Sequence, residues 1–354
     1  MKACLKPWSM LAIALALMTG SLRAEFLYVS NSNGGSISAY HVEKNGALKP
    51  LGGSPFPAGV GPAAVAVDFW GRFAYVPNAS GNNISAYRIA ENGELKPLSG
   101  SPFLAGNDPI PEGVDFLGRF LYVANILDST ISGYGIAENG ALTAVPGSPF
   151  PAQGSFNFSL ALDPLSRSVY VPNTQSGTVS AFHIGLDGAL RPLKGSPFPG
   201  GGGSVAVDLP GRLVYATNSD GISAYHIERD GALKPVDGSP FPDANSPFSA
   251  TVDTLGRFLY VVNNSSGAVT NNSVSVYRIG REGALTPVKG SPFPTGGIGP
   301  LLAAVDLFGR FVYVTNFQSS NVSAFRIEPD GALAPVAGSP FPTGLNPRGV
   351  AVSP

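Results

Sequence analysis

The sequence has a single cysteine, Cys4, which precedes an apolar run near the start of the chain. A disulfide framework, a cysteine nucleophile and a cysteine metal site are therefore excluded for everything after that run. Histidine is also scarce, with three residues, and charged residues make up only 13% of the chain, about half the usual share. The net charge is −1 and there is no basic tract, so nucleic acid is not expected as a partner.

The sequence also lacks the short motifs of the common catalytic sites. No Gly-x-Ser-x-Gly, His-Glu-x-x-His, dinucleotide fingerprint or phosphate-loop sequence occurs. The glycine run Gly200 to Gly203 offers backbone amides, but it does not lead into a helical pattern, which argues against a phosphate loop. We predict no metal site and no cofactor.

Residues 1–24 are typical of a secretory signal peptide. Two lysines precede the apolar run Met10 to Met18, and small or polar residues follow as far as Ala24. The run is too short to span a bilayer comfortably. We expect cleavage after Ala24, export to the periplasm or the exterior, and a mature domain of residues 25–354 without a membrane span. A retained N-terminal anchor is the alternative.

Glycine and proline are abundant, at 45 and 33 residues, and they are periodic. Gly-Ser-Pro-Phe occurs seven times at intervals of 43 to 52 residues, and a strand-like run from a tyrosine to an asparagine three residues later also occurs seven times. Each unit contains four short strand-like runs, a pattern that predicts propeller blades. The tyrosines are Tyr28, Tyr75, Tyr122, Tyr170, Tyr215, Tyr260 and Tyr313.

The phase of the repeat predicts how the ring closes. From residue 25 the chain opens on a second strand, Phe26 to Val29, and it ends on an unpaired first strand, Gly349 to Ser353. If the two join, every blade has four strands and no open edge remains at the seam. We predict an all-β, seven-bladed β-propeller with four antiparallel strands per blade, closed by the C-terminal strand joining the N-terminal blade.

Most polar residues that could carry chemistry belong to the repeat, and we expect structural roles for them. An aspartate ends each of six first strands, with an arginine four residues later, as in Asp68 and Arg72, and this spacing suits a tight hairpin. The strand-ending asparagines tolerate left-handed backbone and can cap the following turn. The histidines stand on third strands, where other blades have Arg or Gly. They are His41, His183 and His226.

Departures from the repeat supply the candidate site. The loops from the fourth strand of one blade to the first strand of the next vary most, so a ligand face would be built from them. Glu112 and Arg348, which we place at one register before a first strand, are the candidate catalytic residues, an acid and a guanidinium at a channel mouth. The candidate ligand-binding residues are Asp108, Asn157, Asn346, Phe156, Phe158 and Phe248.

The repeat, Val-Ala-Val-Asp-x-x-Gly-Arg-Phe-x-Tyr-Val-x-Asn followed by Gly-Ser-Pro-Phe, resembles that of the seven-bladed lactonase-like propellers. These include bacterial 6-phosphogluconolactonase and the fungal carboxymuconate-lactonizing enzyme. The chain is also similar to the surface-layer repeats named for Tyr-Val-Thr-Asn, which occurs at Tyr313 to Asn316. In enzymatic members, Gly-Pro-Arg-His often precedes a first strand. Here Asn346-Pro347-Arg348-Gly349 keeps Pro-Arg and has glycine where the histidine would stand.

The resemblance implies an exported lactone hydrolase, of the carboxylic-ester hydrolase type, acting on a sugar-derived or similar lactone. Arg348 would hold the substrate carboxylate or the developing oxyanion, and Glu112 would activate water. Export would separate the protein from cytosolic 6-phosphogluconolactone, which argues against that activity. The alternative, favoured by the missing histidine, is a non-catalytic propeller that binds a glycan, peptide or protein through its variable loops. Either protein would be a monomer.

Overall fold

The computed structural model describes residues 25–155, 159–165, 167–208, 212–219, 221–243, 245–264 and 271–353. These residues form seven antiparallel sheets, and within each sheet the order is inner, second, third and outer strand. The inner strands contact one another in sequence around a closed ring. The predicted all-β, seven-bladed propeller is confirmed. The predicted signal peptide lies outside the described residues, in which no helix is long and apolar enough to cross a membrane.

The second strands have six residues and the third strands seven in every blade, whereas the inner strands vary from two to six residues. The inner strands are Ala66–Val67, Pro109–Val114, Ala161–Leu162, Val205–Val207, Pro247–Val252, Pro300–Val305 and Pro347–Val352. The second strands are Phe26–Asn31, Phe73–Asn78, Phe120–Asn125, Ser168–Asn173, Leu213–Asn218, Phe258–Asn263 and Phe311–Asn316. The third strands are Ser36–Val42, Asn83–Ile89, Thr130–Ile136, Thr178–Ile184, Gly221–Ile227, Ser273–Ile279 and Asn321–Ile327. A short 3-10 turn, Ala79–Gly81, follows one second strand.

The outer strand differs from the prediction, because it consists of two short pieces rather than one strand. The first pieces are Leu48–Pro50, Leu95–Pro97, Leu142–Ala144, Leu190–Pro192, Leu233–Pro235, Leu285–Pro287 and Leu333–Pro335. The second pieces are Phe56–Pro57, Phe103–Leu104, Phe150–Pro151, Phe198–Pro199, Phe293–Pro294 and Phe341–Pro342, while the fifth blade has a single bridge, Ile222 to Phe241. Both pieces pair with the third strand, at an edge where proline is tolerated.

The Gly-Ser-Pro-Phe turn separates the two pieces of each outer strand. Its Ser–Pro peptide is cis in all seven copies. The serine hydroxyl accepts a hydrogen bond from a third-strand amide, as Ser54 does from Ala39 at 2.9 Å. The phenylalanine joins the apolar core between blades, as Phe56 does. The turn therefore replaces backbone pairing with a side-chain bond and an apolar contact.

The core lies between neighbouring blades, and second-strand tyrosines join those blades. Each of these tyrosines is fully buried. In six of the seven, the hydroxyl donates to a glycine carbonyl in the next blade, as Tyr75 does to Gly140 at 2.9 Å. The six are Tyr28, Tyr75, Tyr122, Tyr170, Tyr215 and Tyr313. Among the described residues, the buried Tyr260 hydroxyl has no hydrogen-bond partner.

The seam closes as predicted, with an inner strand that begins two residues earlier than expected. Pro347–Val352 pairs antiparallel with Phe26–Asn31. Ser353 replaces the repeat aspartate, and its hydroxyl accepts a hydrogen bond from the first amide of the second strand at 3.1 Å. Glu25 replaces the repeat arginine and pairs with Arg310 of the neighbouring blade at 2.6 Å. Burial raises the pKa of the Glu25 carboxyl, and Arg310 counteracts that shift.

Deletion of residues 346–354 should open the ring. The first blade would lose its inner strand, and the packing of Val350 and Val352 against the core of the first and seventh blades would be lost with it. The loss of several kcal/mol of burial and pairing corresponds to a fall in Tm of roughly 5–10 °C in a domain of this size. Deletion of Pro354 alone is the control and should leave Tm unchanged. An unchanged, cooperative melt of the longer truncation would contradict the closure.

The tyrosine contacts allow a matched pair of substitutions. Tyr75→Phe leaves the Gly140 carbonyl without its partner and should lower the free energy of unfolding by about 1–2 kcal/mol. Tyr260→Phe removes a buried hydroxyl that has no partner among the described residues, so it should be neutral or stabilising. Chemical denaturation of both variants tests the difference. Equal losses would show that these hydrogen bonds do not join the blades.

Candidate functional site

Equivalent positions of the seven inner strands form rings around the propeller axis. One residue of each blade belongs to a ring that we call the collar. It is the residue five positions before the aspartate at the end of the inner strand, and in the first blade it is the residue five positions before Ser353. One member, Phe158, lies outside the described residues. The described members are Ala63, Ile110, Gly203, Phe248, Leu301 and Arg348. The collar therefore combines one guanidinium with small or apolar residues.

Hydroxyl groups of neighbouring blades hold the backbone of the collar. The Thr315 hydroxyl donates to the Arg348 carbonyl at 2.8 Å. The Thr217 hydroxyl donates to the Phe248 carbonyl at 3.3 Å, and the Ser249 hydroxyl donates to the Leu301 carbonyl at 2.6 Å. The three bonds thus join four successive blades, the fifth, sixth, seventh and first, at the collar, which gives its side chains a rigid base.

Gly349 follows the collar arginine and has no room for a side chain. A Cβ at this position would lie 2.3 Å from the Ala64 Cα and 2.9 Å from the Val65 nitrogen. Its own amide donates to the Ser30 hydroxyl at 2.9 Å, so the strand is held in place from both sides. A histidine at position 349 is therefore incompatible with this backbone.

Arg348 is half-buried at the collar. Burial lowers the pKa of its guanidinium, and the Asp108 carboxylate counteracts that shift. Asp108 belongs to the third blade and Arg348 to the first, so the electrostatic attraction between the two side chains acts across the second blade. The collar residue of the second blade is the small Ala63. Among the described side chains, no carboxylate oxygen lies within 4.0 Å of the guanidinium. Because arginine stays charged at neutral pH, its donors are available to an anion.

Asp108 and Asn346 owe their positions to the backbone. Both adopt left-handed conformations, with φ of 53° and 54°, which Asp and Asn tolerate better than other non-glycine residues. The Asn346 side chain donates to the Phe317 carbonyl at 3.1 Å and accepts from Asn33 at 2.8 Å, so it holds neighbouring loops together. The Asp108 amide donates to the Asn82 side chain at 3.0 Å. Left-handed backbone also occurs at the matching positions Gly61, Ser246 and Gly299.

The prediction that Glu112 and Arg348 share a register is wrong. Glu112 pairs with Val123, and the matching pair of the first blade is Val350 with Val29. Glu112 therefore stands two positions beyond the collar. The register is set by pairing with the second strand across an irregularity, which counting along the loops does not detect. At the same position other blades place the core residues Val65, Leu160 and Val205.

Phe248 is the candidate that shares the collar with Arg348. Its side chain is 42% exposed, although its backbone carbonyl is fixed by the hydrogen bond from Thr217. The remaining candidates, Phe156, Asn157 and Phe158, lie outside the described residues. Two collar residues, Ile110 and Leu301, were not among the candidates chosen from the sequence. Counting back five residues from the repeat aspartate would have found both.

The polar residues of the repeat have the structural partners expected of them. Asp68 accepts hydrogen bonds from the Phe73 amide at 2.8 Å and the Arg72 Nε at 2.9 Å. The buried Asn78 side chain donates to Ser85 at 2.9 Å, which ties the second strand to the third. Corresponding aspartate–arginine pairs recur in six blades. Within the described ranges, no group of three or more His, Cys, Asp or Glu residues could hold a metal ion.

A family model described as "Lactonase, 7-bladed beta-propeller" matches residues 16–116 and 213–347. No curated protein matches the sequence. Among solved structures, a periplasmic gluconolactonase of Pseudomonas aeruginosa superposes with a TM-score of 0.77 at 19% identity, over 94% of this chain and 99% of that one. A provisional 6-phosphogluconolactonase of Bacteroides fragilis superposes with a TM-score of 0.78 at 18% identity, over 94% and 98%. At such identities the likeness concerns the fold.

Gly349→Ala should destabilise the seam. The added methyl group would meet the backbone of the second blade, and such overpacking costs about 1–3 kcal/mol. Each kcal/mol lowers Tm by roughly 1–2 °C in a domain of this size. Gly52→Ala is the matched control, because a Cβ at Gly52 meets no atom within 4 Å. If both variants melt with the wild type, position 349 is not closed to side chains.

Proposed function

The chain belongs to the lactonase family of seven-bladed β-propellers, and on this basis we propose that it binds a lactone at one mouth of its channel and hydrolyses it. The observation that carries the proposal is the half-buried guanidinium of Arg348 at the collar, with no carboxylate among the described side chains close enough to neutralise it. The solved gluconolactonase of Pseudomonas aeruginosa supports the reaction class.

The guanidinium suits the charge changes of lactone hydrolysis. Attack of water on the ring carbonyl places negative charge on the carbonyl oxygen. The bond between the acyl carbon and the ring oxygen then breaks, the ring oxygen takes up a proton, and a hydroxy acid results. A fixed cation in a partly desolvated position stabilises the developing oxyanion more strongly than bulk water would. The same donors can then hold the product carboxylate.

The base that activates water would be an acid of the third blade. Histidine is not available at position 349, because the second blade occupies the space that its side chain would need. Glu112 is the base proposed from the sequence, and Asp108 is the acid whose charge acts on Arg348. A carboxylate can take a proton from attacking water when it lies within hydrogen-bond reach.

A non-catalytic binding propeller is the alternative. It is favoured by the position of the histidines, which stand on third strands with two strands between them and the axis. Such a protein would present the collar and its loops to a glycan, peptide or protein. For either function we propose an exported monomer. The signal-like residues 1–24 and the periplasmic origin of one structural relative support export.

Hydrolysis of a lactone panel by the protein from residue 25 onward tests the proposal. Arg348→Met should lower kcat/KM roughly 100-fold, as expected for loss of an oxyanion donor. Glu112→Gln and Asp108→Asn identify the base, since only the true base should cause a comparable loss. Arg326→Met, an exposed third-strand arginine, is the control and should retain full activity. If the folded protein hydrolyses no lactone, the binding propeller is the better description.

A further inference from the structure

The face of the propeller that carries the collar has an unusual charge distribution. It consists of the loops into the inner strands and the loops between second and third strands, which contact each other through the Asn346 carbonyl and the Ser32 amide at 3.0 Å. Arg348 is the only Lys or Arg in these loops and in the inner strands. The acidic residues of the same segments are Asp108, Glu112, Asp128, Asp220 and Asp243.

This distribution disfavours a phosphorylated ligand. A phosphate monoester carries a charge of about −1.5 to −2 at neutral pH and is normally held by several cationic or amide donors. Within the described residues, these loops and inner strands carry one cation and four acids, and such a face creates a potential that repels a dianion. The six repeat arginines do not offset it, because each follows the end of an inner strand at the opposite mouth and pairs with its own aspartate.

Apolar residues occupy the collar positions of the two blades that precede Arg348 in the ring. Phe248, Leu301 and Arg348 occupy the collar in three successive blades, and each has its carbonyl held by a hydroxyl group of the preceding blade. Two further apolar side chains, Ile298 and Leu345, are 50% and 62% exposed in the loops that lead to Leu301 and Arg348. Exposed apolar groups beside one charged donor are typical of a site for an amphiphilic ligand.

We propose that the ligand is a lactone with an apolar substituent and no phosphate, or the hydroxy acid that it yields. The carbonyl or carboxylate group binds Arg348, and the substituent packs on Phe248 and Leu301. This inference rests on the proposed function for the reaction, and it adds the class of substrate.

Three δ-lactones test the substrate class: a 5-alkyl lactone such as δ-decalactone, glucono-δ-lactone and 6-phosphoglucono-δ-lactone. We expect kcat/KM to be highest for the alkyl lactone and lowest for the phosphorylated one. Phe248→Ala should lower the ratio of alkyl to glucono kcat/KM about tenfold, as loss of one buried aromatic contact implies. Leu186→Ala is the control, because Leu186 is 97% exposed in a turn between a third and an outer strand. It should leave the ratio unchanged.

A second variant tests the charge argument. Leu301→Lys places another cation in the collar, next to Arg348 in the ring, and should raise kcat/KM for the phosphorylated lactone about tenfold relative to the other two. Wild-type rates on the phosphorylated lactone that equal those on the alkyl lactone would overturn the proposal. So would a Phe248→Ala variant with an unchanged ratio.

Calorimetric binding of the corresponding hydroxy acids separates this inference from the proposed function. Binding of 5-hydroxydecanoate that requires both Phe248 and Arg348, without hydrolysis of any lactone, would support the ligand class and refute the hydrolase. Hydrolysis of glucono-δ-lactone without preference for the alkyl substituent would support the hydrolase and refute the ligand class.

Discussion

The pairing of Pro347–Val352 with Phe26–Asn31 is the interaction on which both the fold and the candidate site depend. It joins the two ends of the described chain, so every blade acquires neighbours on both sides and the ring has no exposed inner edge. The same strand carries Arg348 and Gly349. Closure therefore does more than stabilise the ring, because it brings to the collar Arg348, the one lysine or arginine in the sequence of the inner strands and the loops beside them. Loss of the seam would remove the site together with the blade.

The repeat and the site use different residues for a physical reason. Buried polar groups need partners, and each repeat of this chain supplies those partners internally. The aspartate of one turn bonds the arginine and amides of that turn, and the asparagine of a second strand bonds hydroxyl groups of the third, as Asn31 does with Ser38 at 2.9 Å. Groups satisfied in this way are not free to bind a ligand. The residues left for chemistry are those that break the repeat.

The sequence was sufficient to predict the number of blades, the strand order and the closure, because these follow from period and phase. It was not sufficient to predict that the outer strand is divided into two pieces. The turn at Ser54 separates them, although the residues on both sides of it suggest one continuous strand. The sequence also failed to align Glu112 with Arg348, because the register depends on pairing with a strand that lies elsewhere in the sequence. Asp108 and Arg348 were both chosen as candidates, but their electrostatic coupling depends on how three blades are arranged in space.

The contact between Gly349 and Ala64 links the packing of the ring to its chemistry. The two inner strands approach so closely that neither backbone leaves room for a side chain at Gly349. At the same end of the ring, the Asp108 carboxylate of the third blade acts on the charge of Arg348 in the first. The close approach of the two inner strands also leaves no room for a histidine at position 349. A histidine at position 349 would require the strand at Ala64 to move, and that strand is part of the ring. If the proposed hydrolysis occurs, its base is therefore not a residue at position 349, and Asp108 and Glu112 of the third blade are the acids proposed for that role.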